Sequence, residues 1–305
     1  MSHISVCFAV YQNQGALTQL YNEMTYELTT HFPEDTYELI FVNDGSKDGS
    51  LEELIGLNQK DKRVKIISFS RNFGQMAAIL AGWDYATGDV VLNLAADLQD
   101  PPSQCTAMIR EWKKGYEVVI SYRNSHGTSA SRKVTSKLFY KIALPQAPPG
   151  GFDFVLLDRK PMDVINSLTE RNRFYQYDIL WVGYKVKYLP YDKLERTIGK
   201  SQYNFFKRFK NFYSAFLNVS YLPLRLLTSI GGIVAVSGFL YAINIVYSYF
   251  VHKTPFNGWA PIMIVLLIIG GLIMLMLGVV GEYIWRILDE VKKRPHYIID
   301  KKWDL

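Results

Sequence analysis

Five short apolar runs rich in β-branched and aromatic residues, at 4–10, 37–42, 64–69, 90–94 and 117–121, are separated by stretches whose apolar positions recur at helical spacing, at 17–30, 51–58, 76–85 and 102–114. This alternation predicts βαβ units and a mostly parallel sheet with both faces covered. In open sheets of this kind ligands collect beyond the carboxyl ends of the strands. The polar residues that follow each apolar run are therefore the first candidates for chemistry.

After residue 121 the pattern loosens into a loop containing Gly, Ser and Arg, a helical pattern at about 131–142, a Pro/Gly break at 145–151 and mixed structure to about 190. From 203 to 222 aromatic and basic residues interleave, beginning Tyr203, Phe205, Phe206, Lys207, Arg208, Phe209 and Lys210. That composition suits a helix lying in a membrane interface. Two further runs, 230–251 and 260–281, contain almost no ionisable side chains, and each matches the ~20 residues that a helix needs to cross the hydrocarbon layer. A core helix of that length would keep a polar face, so a two-helix membrane hairpin is expected. The organisation is then a domain at 1–202, a juxtamembrane amphipathic region at 203–225, and a hairpin with a C-terminal tail at 226–305.

The 305 residues carry 34 Lys+Arg against 28 Asp+Glu, a formal charge of +6, and 49% hydrophobic side chains, which excludes disorder and collagen-like structure. Basic residues flank the apolar runs: Lys207, Arg208, Lys210 and Arg225 before the first, and Arg286, Lys292, Lys293, Arg294, Lys301 and Lys302 after the second. By the positive-inside rule both termini are expected in the cytoplasm. The apolar start at 4–10 is too short for a signal peptide and lacks a basic flank. Cys7 and Cys105 suggest neither a disulfide framework nor a zinc site, and His3, His31, His126, His252 and His296 have no metal-ligand spacing. Nothing in the pattern points to nucleic acid.

Asn43-Asp44-Gly45-Ser46-Lys47-Asp48 follows the second apolar run, placing a carboxylate beside a turn that glycine permits. Asp44 there can accept hydrogen bonds from a nucleobase or ribose. An acidic helix cap from Asp44, Ser46 or Asp48 fits equally well. After the fourth run comes Ala96-Asp97-Leu98-Gln99-Asp100-Pro101-Pro102, and in extended backbone Asp97 and Gln99 would share a face. Their hard oxygens suit Mg2+ or Mn2+ bridging to a diphosphate. Asp100 before two prolines also fits a helix start. Arg123, Arg132, Lys133 and Ser136 offer guanidinium, ammonium and hydroxyl donors to a phosphate, or form a solvated basic face. Gly199-Lys200-Ser201 is no P-loop, because position 194 is Leu194, and no G-x-G-x-x-G follows the first strand, which removes the dinucleotide-binding reading.

Taken together, these segments resemble the family 2 glycosyltransferases, particularly those acting on polyprenyl phosphates. The landmarks are Val10-Tyr11, Asn43-Asp44-Gly45-Ser46, Ser70-Arg71-Asn72-Phe73-Gly74, Ala96-Asp97-Leu98-Gln99-Asp100, Thr135-Ser136-Lys137-Leu138-Phe139-Tyr140, Asp153-Phe154, Glu170-Arg171-Asn172-Arg173-Phe174, and Gly281-Glu282-Tyr283 followed by Lys292-Lys293-Arg294-Pro295. The resemblance implies a GT-A-like α/β domain followed by an interfacial helix and two transmembrane helices. It implies inverting transfer of a sugar from a nucleoside-diphosphate sugar, with a UDP-sugar favoured, to polyprenyl phosphate such as undecaprenyl phosphate. The setting would be the cytoplasmic face of the plasma membrane, in cell-envelope glycan modification.

In the roles so implied, Tyr11, Asn43, Asp44, Asp97 and Gln99 bind the nucleotide sugar. Asp97, Gln99 and Asp153 hold Mg2+ or Mn2+, with Asp97 and Asp153 catalytic. Arg123, Arg132, Ser136, Lys200 and Ser201 take the acceptor phosphate. Three positions depart from the pattern: Ala95 where many relatives carry a first metal-site Asp, Ala9 for a common proline, and Val155 for a common arginine. Oligomeric state stays open, and the rival reading is a membrane scaffold that binds a nucleotide sugar without turnover.

Overall fold

Strands β1 (His3–Val10), β2 (Thr36–Asn43), β3 (Val64–Phe69), β4 (Val90–Ala95) and β5 (Val118–Arg123) alternate with helices α1 (Leu17–His31), α2 (Ser50–Lys60), α3 (Gln75–Tyr85) and α4 (Pro102–Lys113) in a computed structural model of the chain. The structure describes residues 1–123, 144–148, 151–152, 154–171, 173–192, 194, 222–252 and 258–305. Beyond β5 the described elements are β6 (Phe154–Asp158), α5 (Arg159–Ser167), α6 (Tyr175–Trp181), β7 (Val186–Tyr191), α7 (Leu222–His252), α8 (Trp259–Val291) and β8 (Ile299–Trp303).

All eight strands form one sheet in the order β7-β5-β6-β4-β1-β2-β3-β8. β1 pairs parallel with β2 and β4, β2 with β3, and β5 with β7, whereas β6 runs antiparallel between β4 and β5, and β8 runs antiparallel to β3. The architecture is the expected GT-A-like α/β fold with a mostly parallel sheet. The carboxyl ends of β1 to β5 consequently share one edge of the sheet.

The central strands are buried on both faces because helices cover both. Val6, Phe8, Val10, Leu39 and Phe41 face the layer containing α1 and α4, and the α1 stripe Leu17, Leu20, Met24 and Leu28 repeats at helical spacing to meet them. Phe8 and Phe41 stack across the strand pair, with ring centroids 4.6 Å apart. On the opposite face α3 packs closely, with Gly82 against Cys7 and Val42. Cys7 and Cys105 are buried free thiols, and burial pushes both well above the usual thiol range.

At the amino ends of the strands, Glu38 is almost fully buried yet well partnered. Its carboxylate accepts from the Ser5 hydroxyl at 2.5 Å, from the Thr87 N–H at 2.7 Å and hydroxyl at 2.9 Å, and pairs with Lys65 Nζ at 2.7 Å. Burial raises its pKa, but Lys65, Ser5 and the Thr87 N–H outweigh that and hold the carboxyl below its ordinary 4.5.

The chain divides into two units, Met1–Phe212 with Pro295–Leu305, and Tyr213–Arg294. The second contains α7, of 31 residues, and α8, of 33. Among the described residues one stretch, Ile268–Val291, is long and apolar enough to cross a membrane. The interfacial segment expected at 203–222 lies, apart from Leu222, outside the described residues.

Candidate active site

The turns after β1 and β2 are laced together by backbone N–H groups donating to side chains. Gln12 N–H reaches Ser46 Oγ at 3.1 Å, Asn13 N–H reaches Ser50 Oγ at 3.0 Å, and Gln14 N–H reaches Asp48 Oδ2 at 3.2 Å. Gly49 N–H returns to Gln14 Oε1 at 2.9 Å. This lacing holds Gln12 in the left-handed region at φ +56°, directly after Tyr11, whose own N–H donates to Asn13 Oδ1 at 2.9 Å.

Asp44 and Asp48, which the sequence left interchangeable as helix caps, have separate tasks. Asp48 Oδ1 accepts the Ser50 hydroxyl at 2.6 Å and the Ser50 N–H at 3.2 Å, so the start of α2 is its work. Asp44 turns instead to the loop after β3, where Oδ1 accepts the Phe73 N–H at 2.6 Å and Oδ2 the Gly74 N–H at 2.9 Å. Asp44 is only 2% exposed, and burial raises its pKa above the ordinary 3.8 against the pull of those two N–H groups and of Arg71. Asn43 is tied in as well, donating from Nδ2 to Ser68 Oγ at 3.0 Å and accepting the Ser46 N–H at 3.2 Å.

Gly45 makes this approach feasible. Its φ is +63°, and a Cβ there would lie 2.4 Å from the Arg71 carbonyl carbon and 2.6 Å from the Asn72 nitrogen. Only a residue without a side chain lets the β2 turn and the β3 loop come so close.

The turn after β4 corrects one expectation. Asp97 and Gln99 are not in extended backbone, because the strand ends at Ala95 and Leu98 has φ +57°. The Gln99 N–H donates to Asp97 Oδ1 at 3.2 Å, a local bond that favours a turn over continued strand. Asp97 and Gln99 nevertheless stand at the same sheet edge as Tyr11 and Asp44. Two non-glycine residues in left-handed backbone, Gln12 and Leu98, thus follow neighbouring strands, and such outliers tend to accumulate at functional sites.

Arg123 is the last residue of β5 and pairs in register with Tyr191, the last of β7. Tyr191 donates its hydroxyl to buried Asp100 at 2.6 Å, and burial followed by Asp100 raises its pKa, with Arg123 opposing. Leu194 N–H donates to the Gln99 carbonyl at 2.9 Å, fastening the segment after β7 to the Asp97 turn. The sequence reading missed the Tyr191–Asp100 pair, since nothing in a tyrosine ending an unassigned strand marks its partner. Asp153, Arg132, Ser136, Lys200 and Ser201 lie outside the described residues.

Among the described residues no three His, Cys, Asp or Glu side chains gather into a metal cluster. The Asp97 carboxylate and Gln99 carboxamide are still hard oxygen donors. They fit a cation such as Mg2+ that draws its other ligands from phosphate and water.

A profile described as glycosyl transferase family 2 matches residues 5–182, and one described as the GtrB C-terminal hairpin matches residues 222–287. The uncharacterized glycosyltransferase sll0501 of Synechocystis sp. is 35% identical over 99% of this chain and 96% of its own. A bactoprenol glucosyl transferase of Shigella phage SfII is 34% identical over 98% of this chain and 97% of its own. Mannosyl-3-phosphoglycerate synthase from Rubrobacter xylanophilus shares the fold at a TM-score of 0.53 and 15% identity, covering 75% of each chain. Agreement end to end with the first relative and across more than half the chain with the family profile turns the resemblance into membership: the chain belongs to glycosyl transferase family 2.

Proposed function

We propose that the protein transfers a sugar from a nucleoside-diphosphate sugar, a UDP-sugar by preference, to polyprenyl phosphate such as undecaprenyl phosphate. The observation that carries this reading is the union, in one chain, of a family 2 domain with the hairpin profile, aligned nearly throughout with bactoprenol glucosyl transferases. The strand-end geometry supports it. Asn43 ends β2, and Tyr11, Asp44, Asp97 and Gln99 follow strands whose carboxyl ends share one sheet edge, which suits them to the nucleotide sugar, while Arg123 ends β5; we assign Arg123, with Arg132, Ser136, Lys200 and Ser201, to the acceptor phosphate.

The reaction is a single inverting displacement. A phosphate oxygen of the lipid bonds to the anomeric carbon while the bond from that carbon to the donor's β-phosphate oxygen breaks, and the nucleoside diphosphate departs with the electron pair. A phosphate monoester has its second pKa near ~6, so the nucleophile is mostly ionised at neutral pH and needs no strong base. The protein's tasks are alignment and charge compensation. Asp44 is suited to the first, because a carboxylate with one N–H on each oxygen keeps lone pairs for a base or ribose. Asp97 and Asp153 are the catalytic carboxylates, and with Gln99 they would hold Mg2+ or Mn2+. When bound, that cation neutralises charge on the departing diphosphate.

We read α7 and α8 as two membrane spans, with residues 1–202 forming the cytoplasmic catalytic domain, whose sheet the tail completes with β8, 203–225 a juxtamembrane amphipathic region, and both termini cytoplasmic. The 31-residue length of α7, the Ile268–Val291 stretch and the hairpin profile support this topology in the plasma membrane. The functional test incubates purified protein with a panel of nucleotide sugars, undecaprenyl phosphate and Mg2+ or Mn2+. A lipid gaining the mass of one sugar is the expected result. Nucleotide-sugar binding without any product would favour the scaffold reading, to which Ala95 lends its weight.

A further inference from the structure

The C-terminal segment, Pro295–Leu305, belongs to the same compact unit as the sheet, and its first residues lie beside the carboxyl end of β3, on the donor side of the site. β8 covers the open edge of β3, with Ser68 opposite Lys301 and, after a shift in register, Phe69 opposite Ile299. Just before β8 the Ile298 carbonyl accepts the Ser70 N–H at 3.0 Å. Tyr297 precedes the strand and takes no part in the ladder. Its ring stacks on Phe69 with centroids 5.0 Å apart and planes 13° from parallel, and its hydroxyl donates to Asp84 Oδ2 at 2.7 Å. Phe69 in turn meets Phe73 edge-on at 5.8 Å, and the Arg71 guanidinium lies 4.0 Å from the centre of the Phe73 ring. Phe73 supplies the backbone N–H that ends on Asp44 Oδ1 at 2.6 Å.

Closing a sheet edge requires only a strand and its ladder bonds. Here a residue outside the strand adds a row of three aromatic rings that ends at the loop orienting Asp44. We propose that Tyr297 is a positioning residue for donor binding: its stack on Phe69 fixes Phe73, and through Phe73 and Gly74 it sets the Asp44 carboxylate toward the nucleotide. The inference rests on the reading that Asp44 contacts the nucleotide sugar. It gives the tail that follows α8 a part in donor recognition.

The test uses the full-length protein in detergent, with UDP-glucose and GDP-mannose titrated calorimetrically and steady-state kinetics measured for the tighter of the two. Tyr297→Ala should raise the donor Kd about five-fold, which corresponds to about 1 kcal/mol at 1.4 kcal/mol per decade. The donor KM should rise with it, while kcat and the KM for polyprenyl phosphate stay near wild type. Tyr297→Phe keeps the stack and should restore donor affinity. Lys302→Ala removes a contact of β8 with Tyr85 that is not part of the ring row, and should leave donor affinity unchanged. Should Tyr297→Ala fail to fold, Tyr297→Leu, which fills the space without a ring, carries the same expectation. Wild-type donor affinity in a folded Tyr297→Ala or Tyr297→Leu protein would overturn the inference, as would equal losses in Lys302→Ala. If the wild-type protein binds neither nucleotide sugar, it is the functional reading that falls, and this inference falls with it.

Discussion

Replacing Gly45 with Ala presses on the contact that brings the turn after β2 against the loop after β3. The new methyl would stand 2.4 Å from the Arg71 carbonyl carbon, 2.6 Å from the Asn72 nitrogen and 2.8 Å from the Arg71 Cα. All three are backbone atoms, so no side-chain rotation relieves the overlap, and the loop must retreat by about 1 Å to reach van der Waals contact. The φ of +63° adds the left-handed penalty of a residue with a Cβ, about 1–2 kcal/mol. Overpacking a tight site costs about 1–3 kcal/mol more. The total, about 2–5 kcal/mol, corresponds to roughly 4–20 °C in melting temperature for a domain of this size. Retreat of the loop also draws the Phe73 and Gly74 N–H groups away from Asp44, so nucleotide affinity should fall together with stability. Gly56→Ala is the control, since Gly56 lies inside α2 with no atom within 4 Å of its would-be Cβ, and it should raise stability by up to about 1 kcal/mol. Thermal unfolding followed by tryptophan fluorescence, with and without UDP, measures both effects. A Gly45→Ala protein that melts at or above the wild-type temperature and binds UDP normally would refute the reasoning.

Asp97→Asn should cripple transfer, most severely at limiting Mg2+ or Mn2+, and wild-type turnover across a metal titration would remove Asp97 from the metal site. Arg123→Ala should raise the KM for polyprenyl phosphate about ten-fold or more while sparing donor affinity, the loss expected for a charge-assisted contact; a selective loss of donor affinity would reverse that assignment. Glu38 is held below its ordinary pKa in the folded protein, so its stabilising contribution is full above the unfolded value and disappears as pH falls through the folded one. Glu38→Gln should accordingly be less stable than wild type at pH 7 and lose less on acidification, and parallel stability curves between pH 7 and pH 3 would contradict this. For topology, a thiol introduced at Asn257 in a variant lacking Cys7 and Cys105 should react from outside intact cells, and one near Leu305 only after permeabilisation; the opposite pattern would invert the proposed orientation.

Much of the sheet was legible because parallel strands covered on both faces are nearly continuous apolar runs, as in Leu39-Ile40-Phe41-Val42, and their ends were readable to within a residue or two. β6 was not, since its five residues follow a Pro/Gly break and run antiparallel between strands distant in sequence. β8 was hidden by Lys301 and Lys302, which read as topogenic charges and so drew attention away from a strand; Lys302 also lies over the Tyr85 ring. At the site, residue type and strand-end position were readable for Asp44 and Asp97. Conformation was not: the extended reading of Asp97 and Gln99 failed on one left-handed residue, Leu98, and the division of labour between Asp44 and Asp48 depends on a loop 25 or more residues downstream. Such partnerships are tertiary and leave no local signal.

The central claim, inverting transfer to a lipid phosphate, is tested most directly by NMR of the lipid product made from an α-configured nucleotide sugar. A β-linked sugar joined through phosphate to the intact polyprenol, with release of one nucleoside diphosphate per sugar, is the predicted result. An α-linked product, or free sugar released to water with the polyprenyl phosphate unchanged, would contradict it.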